Sequence, residues 1–170
     1  MDLRFAVLRH LKALDFRDVK DAADWLHDDL VFHTSIKPLN KEETLDLFDS
    51  IFDAFPDWEI LHDDLVLSAD GSHVHVNLQM KGTHTNTLIL NMPGMKPIAA
   101  TNKKVVLPKQ KFTYRVVDDK VLDIVPEPMP EGGLFNILKQ IEAKTPALWW
   151  LKIMWRTAKV TKKKAELAKG

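Results

Sequence analysis

The chain is 170 residues long, 45% apolar and 28% charged, a composition that suits one globular domain with a sizeable core. It contains no cysteine, which excludes disulfides, thiolate metal sites and cysteine nucleophiles. Its basic and acidic residues cancel overall but not locally: from Lys144 onward there are eight basic residues and one acidic, against 16 basic and 23 acidic before it.

In chain order, Leu3, Val7, Leu11 and Leu14 recur at helical spacing and predict an amphipathic first helix. Asp18 is placed to cap a second, with Val19, Ala22, Ala23, Leu26 and Leu30 as its apolar face, and a short strand over residues 30–34 follows. Asn40 stands three residues before Glu43, a capping-box start to a helix marked by Leu45, Phe48, Phe52 and Phe55 and ended by Pro56. The period then changes. Val74, Val76, Leu78 and Met80 alternate with His73, His75, Asn77 and Gln79 after the turn Ala69-Asp70-Gly71-Ser72. Phe112, Tyr114 and Val116 form a second alternating strand, which Asp118-Asp119 turns into residues 121–125. Pro126, Pro128 and Pro130 stop the sheet, and residues 134–141 read as a short helix. Helices followed by antiparallel strands indicate an α+β domain.

Three segments punctuate this order: Phe55-Pro56-Asp57-Trp58 at the end of the third helix, Gly82-Thr83-His84-Thr85 at the end of a strand, and a run from Tyr114 to Val121 that turns through Asp118-Asp119. Their succession, over about residues 7–141, resembles the SnoaL-like polyketide cyclases of the nuclear-transport-factor-2-like superfamily. The resemblance implies a cone-shaped barrel, in which a curved, mostly antiparallel sheet packs on N-terminal helices, here with an extra C-terminal helix. It places the domain at residues 1–143 and leaves residues 144–170 as a tail. It also implies a histidine after the strand that follows the second helix, where His33 stands, and a second in the motif itself, His84. The carboxylate these cyclases carry after the last strand, and the tryptophan before it, are absent. Glu127 is the nearest substitute and Asp123 the second, while Phe112 occupies the place of a strand histidine.

A near-neutral imidazole suits proton transfer or hydrogen bonding to a carbonyl, so Glu127, His84 and His33 are the candidate catalytic residues, expected to converge on one pocket. The structural alternatives are a His84 that ties one strand to its neighbour and a Glu127 on an exposed loop. Trp25, Phe52, Trp58, Phe112 and Tyr114 either line an apolar cone for a hydrophobic small molecule or simply build the core. His73 and His75 share a strand face, but two imidazoles make a poor metal site, so neither metal nor cofactor is expected. No phosphate-binding glycine loop, serine elbow or dinucleotide fingerprint is present. The expected function is binding of a hydrophobic, carbonyl-bearing molecule, with isomerisation or cyclisation by proton transfer; the alternative is a non-catalytic binding or scaffold domain.

Residues 146–169 begin with Pro146, contain no interior proline or glycine, and read as one helix. Ala147, Trp150, Leu151, Met154, Ala158 and Ala165 form an apolar stripe opposite Lys152, Arg156, Lys159 and Lys163, with Trp149 and Trp155 at the borders. Such a helix packs on its own domain or on a second subunit, or lies on an anionic membrane through Trp149, Trp150, Trp155 and the C-terminal lysines. A homodimer is expected through the His73, His75, Asn77 and Gln79 strand face. Nucleic acid is not an expected partner, because no base-reading module is recognisable. No apolar stretch reaches the roughly 20 residues of a spanning helix. Met1-Asp2-Leu3-Arg4 does not lead a cationic segment into an apolar one, so the chain is expected to be cytoplasmic.

Overall fold

The computed structural model describes residues 2–130 and 132–144; the helix expected over residues 146–169 lies outside them. The elements are α1 (Leu3–Asp15), α2 (Val19–Asp24), β1 (Leu26–His33), β2 (Pro38–Leu39), α3 (Lys41–Ala54), β3 (Glu59–His62), β4 (Val66–Leu67), β5 (His73–Thr83), β6 (Lys104–Val106), β7 (Gln110–Val117), β8 (Lys120–Pro126) and α4 (Gly133–Gln140). Local chemistry starts and stops most of them. Asp2 and Asp18 cap α1 and α2 by accepting backbone N–H groups, and Asn40 with Glu43 forms the full capping box of α3. Asp118 and Asp119 both take positive φ, 52° and 61°, which twists the β7–β8 turn in the sense a hairpin needs.

One expectation fails here. α2 is six residues long and ends at Asp24, and Leu26 and Leu30 belong to a strand. A spacing of four keeps two side chains on one face at either period, 3.6 or 2, so the apolar pair did not distinguish the elements. Partnership decides the matter: β1 runs parallel to β8, pairing Leu26 with Val121 and Phe32 with Ile124.

The sheet is therefore mixed, in the order β2-β1-β8-β7-β5-β3, with β1–β8 its parallel pair. β5 is its hub. One edge pairs with β7 and β6, the other with β4 and β3. α1 packs on β3, β4, β5, β7 and β8, α3 on β1 and β2, and α4 against β6. Alternation sorts the strands into two faces. Val74, Val76 and Leu78 of β5, with Phe112, Tyr114 and Val116 of β7 and Val121 and Ile124 of β8, are buried beneath the helices. His73, His75, Asn77, Lys111, Thr113, Arg115, Asp123 and Val125 take the outer face.

A clasp joins the end of α3 to the end of β5. Trp58 lies over Gly82, where an added Cβ would come within 2.7 Å of the indole Cε3. Asp57 accepts from the Thr83 N–H at 2.7 Å and from its hydroxyl at 2.8 Å. Partial burial would raise the Asp57 carboxyl, but the Thr83 donors outweigh it and hold the group below the usual carboxylate range. The Phe55 ring stacks on His84 with centroids 5.2 Å apart, and Trp58 meets Phe55 edge-on. Arg17, at the end of α1, donates to the carbonyls of Phe55 and Trp58.

Gly82→Ala is expected to lower stability by about 1–3 kcal/mol, the usual cost of overpacking, read from the urea unfolding midpoint. In a Trp58→Phe background the same change should cost less, because the smaller ring yields space. Equal losses in both backgrounds would show that crowding against Trp58 is not what requires glycine.

Candidate functional site

His84 lies one residue beyond β5, on the inner side of the sheet, and its side chain is fully buried. Its Nδ1 is 3.0 Å from the Thr101 hydroxyl and 3.3 Å from the Thr101 N–H. Lys103 N–H donates to the same hydroxyl at 3.4 Å. A backbone N–H can only donate, and an oxygen that accepts from Lys103 is free to pass its own proton on. Both point to Nδ1 as the acceptor, which leaves the ring proton on Nε2. Among the described residues, that buried Nε2 has no hydrogen-bond partner. Burial lowers the pKa of the ring, opposed by the adjacent Asn86 backbone. The site therefore presents a neutral imidazole whose buried donor makes no hydrogen bond of normal geometry among the described residues, with the Asn86 backbone beside the ring.

His33 and Glu127 do not join it. The register carries the argument: Phe32 pairs with Ile124 on the inner face, so His33, the next residue, faces outward with Val125. Its side chain is about half exposed, with Nε2 3.9 Å from an Asp123 oxygen. Arg115 holds that carboxylate, donating from Nε at 2.6 Å. His33, His73, Thr113, Arg115, Asp123 and Val125 line an open outer groove of about 340 Å³. Glu127 follows β8 at the position opposite Lys111, whose carbonyl accepts its N–H at 2.8 Å. That register gives Glu127 the exposed parity, and its side chain is exposed. The expected convergence of the three residues is thus corrected: the sheet separates His84 from His33, and Glu127 turns outward. Its contribution here is through backbone, its carbonyl accepting from the buried Gln110 amide at 2.6 Å.

The aromatic residues divide similarly. Trp58, Phe112 and Tyr114 are buried in the core, where burial raises the Tyr114 hydroxyl pKa. Phe52 lies under the Arg17 guanidinium at 5.9 Å. Trp25 stands at the rim, edge-on to Phe5 with Arg9 above it at 5.6 Å. His73 and His75 are on the outer face as alternation predicts, bonded through Nδ1 to Ser72 at 2.6 Å and to Thr113 at 2.9 Å. The Trp149, Trp150 and Trp155 cluster and the basic stripe lie outside the described residues. Among the described residues, no helix is long and apolar enough to cross a membrane. The partners that sequence reasoning missed are Thr101 and Asn86, distant from the motif along the chain or unmarked by any pattern.

The family model of the SnoaL-like domain matches residues 7–124, and the chain belongs to that family. Among solved structures it is similar to a candidate SnoaL-like polyketide cyclase from Jannaschia sp. CCS1. The TM-score is 0.63 at 14% identity, covering 84% of this chain and 93% of the other. It is also similar to AclR, a candidate hydroxylase from Streptomyces galilaeus, with a TM-score of 0.60 at 17% identity over 84% and 96% of the two chains. IdmH, a candidate polyketide cyclase from Streptomyces antibioticus, gives 0.57 at 16% identity over 75% and 93%. At these identities the likeness establishes the fold. Among curated proteins none matches this sequence.

A second buried histidine sets the pH behaviour. His10 on α1 is buried, and Nδ1 lies 3.1 Å from the Ala22 carbonyl, which fixes the proton there. Burial lowers its pKa to about 4, against the weaker pull of that carbonyl. His10 and His84 are both neutral in the fold and gain a proton more readily when unfolded. Their stabilisation is complete above pH ~6.5 and is lost as pH falls toward the folded values. From His10 alone the loss by pH 4 is on the order of 3 kcal/mol. His10→Asn keeps a donor for Ala22 and removes the titration. Urea unfolding from pH 7.5 to 4.5 should therefore fall more steeply for the natural chain than for the variant. Parallel curves would show that His10 does not resist protonation.

Proposed function

We propose that this SnoaL-like chain binds a small apolar molecule carrying a carbonyl, and that the carbonyl accepts the Nε2 proton of His84. The observation that carries the reading is a buried Nε2–H that makes no hydrogen bond of normal geometry among the described residues. A buried donor without a partner costs about 1–3 kcal/mol, and a ligand acceptor removes that cost. Phe55 and Trp58 beside it supply the aromatic surroundings an apolar molecule prefers. The similarity to candidate polyketide cyclases agrees with a ligand of this class.

The geometry also defines the chemistry His84 can do. Its Nδ1 lone pair is engaged by Thr101 and Nε2 carries the proton, so at neutral pH the ring donates and does not abstract. Such a donor stabilises negative charge on a carbonyl oxygen, the assistance an enolate-forming isomerisation or cyclisation needs. A base must accompany it, and the outward side chains of His33 and Glu127 do not provide one. We therefore put binding and orientation first, with catalysis depending on a carboxylate or substrate group brought in from elsewhere.

The test compares 2-acetylnaphthalene with 2-ethylnaphthalene, which differ in the carbonyl. The natural chain should favour the ketone about fivefold, the value of one net hydrogen bond of ~1 kcal/mol. His84→Phe, which keeps a ring against Phe55, should bind the two alike. Equal binding by the natural chain, or a preference that survives the substitution, would overturn the reading.

A second reading concerns association. The outer sheet face combines half-buried His73, His75, Asn77 and Gln79 with Val125, 37% exposed, and suits a two-fold contact between copies. In the same reading residues 144–170 form an attachment segment, to a second copy first and to an anionic membrane second. Light scattering of the full chain should give twice the 19.5 kDa of one chain. A dimer that persists in residues 1–143 assigns the contact to the sheet, and one that is lost assigns it to the tail. A monomer at high micromolar concentration would refute both.

A further inference from the structure

Between β5 and β6 the chain leaves the sheet for residues 84–103 and returns to the same edge. The two ends are pinned together. His84 N–H donates to the Lys103 carbonyl at 2.9 Å, Asn102 N–H donates to the His84 carbonyl at 2.8 Å, and the His84 ring holds Thr101. Within the excursion, regular pairing is confined to one bridge, in which Leu88 and Ile98 exchange N–H···O bonds of 2.9 Å. Segments of this length without helix or strand are uncommon inside a compact domain and are usually functional.

The inner side of this segment is apolar. Leu88 and Leu90 are buried, and Met92, Met95 and Ile98 are partly buried against the same core. Ile89 between them is 61% exposed. The segment is nevertheless weakly tied. Beyond the local Thr85 N–H bond to the Thr83 carbonyl beside the hinge, its hydrogen bonds to the rest of the domain among the described residues come from Asn86. That residue donates through N–H to the Ala54 carbonyl at 3.2 Å and through its amide to the Asp53 carbonyl at 3.0 Å. A body held by few hydrogen bonds, two buried leucines and conformationally adaptable methionines belongs to the low-stability end of a fold, where lids are found.

We propose that residues 85–100 are a flap that opens about the His84–Thr101 hinge, with Asn86 as its catch. Its inward Leu88, Leu90, Met92 and Met95 side chains hold the space that an apolar ligand takes when the flap swings out. This rests on the reading that His84 Nε2–H is the ligand's polar contact. The flap explains how a buried donor beside a filled core is reached: the molecule enters by displacing side chains of its own chemical class.

Amide hydrogen exchange on the full chain tests the flap without any ligand. The amides of Leu88 and Ile98 should exchange ~100-fold or more faster than the slowest amides of β5 and β7, by an opening that low urea does not promote. Asn86→Ala removes the side-chain half of the catch and should speed both amides a further ~5-fold, with the global unfolding midpoint nearly unchanged. With 2-acetylnaphthalene, the observed binding rate should level off at the opening rate as the probe concentration rises. Exchange of Leu88 and Ile98 only with the slowest core amides, in both proteins, would overturn the flap. A binding rate that stays linear in probe would overturn its gating role. Fast opening with no probe bound would support the flap and remove the ligand reading instead.

Discussion

An indole needs a flat neighbour, and the structure is organised around supplying one. Trp58 covers Gly82, and a methyl group at that position would overlap the ring. Because the contact leaves no slack, it fixes how the end of α3 meets the end of β5. Everything adjacent then follows from position. Asp57, one residue before the indole, lies where Thr83 donates twice to it, and Phe55 lies where His84 can stack. β5 in turn pairs with four strands, so the placement of its end sets the sheet against the helices.

The Phe55-Pro56-Asp57-Trp58 and Gly82-Thr83-His84-Thr85 segments are thus two halves of one mechanical joint. Gly82 provides space, Asp57 and Thr83 provide hydrogen bonds, and Arg17 secures the turn from the helical side. Retaining such a joint preserves a fold, and a fold of this kind carries different chemistries. The candidate cyclases and the candidate hydroxylase that share the architecture fit that distinction. Among the described residues, His84 Nε2 is the buried side-chain atom that the joint leaves without a partner.

Local physics made much of the architecture legible. The capping box at Asn40 and Glu43, the helix stop before Pro56 and the turn at Asp118-Asp119 each depend on residues adjacent in sequence. The site was less legible because its geometry depends on pairing across the chain. Leu26 and Leu30 fit a helix as well as a strand until β8 lies alongside them. His33 was readable as a strand-end histidine, but the face it takes is set by the register of Phe32 on Ile124. Glu127 follows the same rule through its bond to Lys111. The parity of a residue one step past a paired position is decided by its partner, and a one-residue slip reverses it. Thr101, which determines the protonation of His84, is brought near by a loop with no pattern of its own.

Parity also bears on what the domain can do. The titratable groups that a single strand sequence places close together are distributed by the sheet to opposite sides, polar ones outward and His84 inward. The outer histidines meet water, hydroxyl groups and the Arg115–Asp123 pair, where their hydrogen bonds compete with solvent. His84 is in the opposite situation. Neutral, enclosed and bonded at Nδ1, it keeps one donor in a place where water does not compete for it. In the proposed reading, a molecule that reached it would be selected by a single acceptor set in an apolar frame. Recognition of that kind needs little of the surface chemistry that a sequence displays, and it tolerates the loss of the carboxylate and tryptophan that a cyclase reaction would demand.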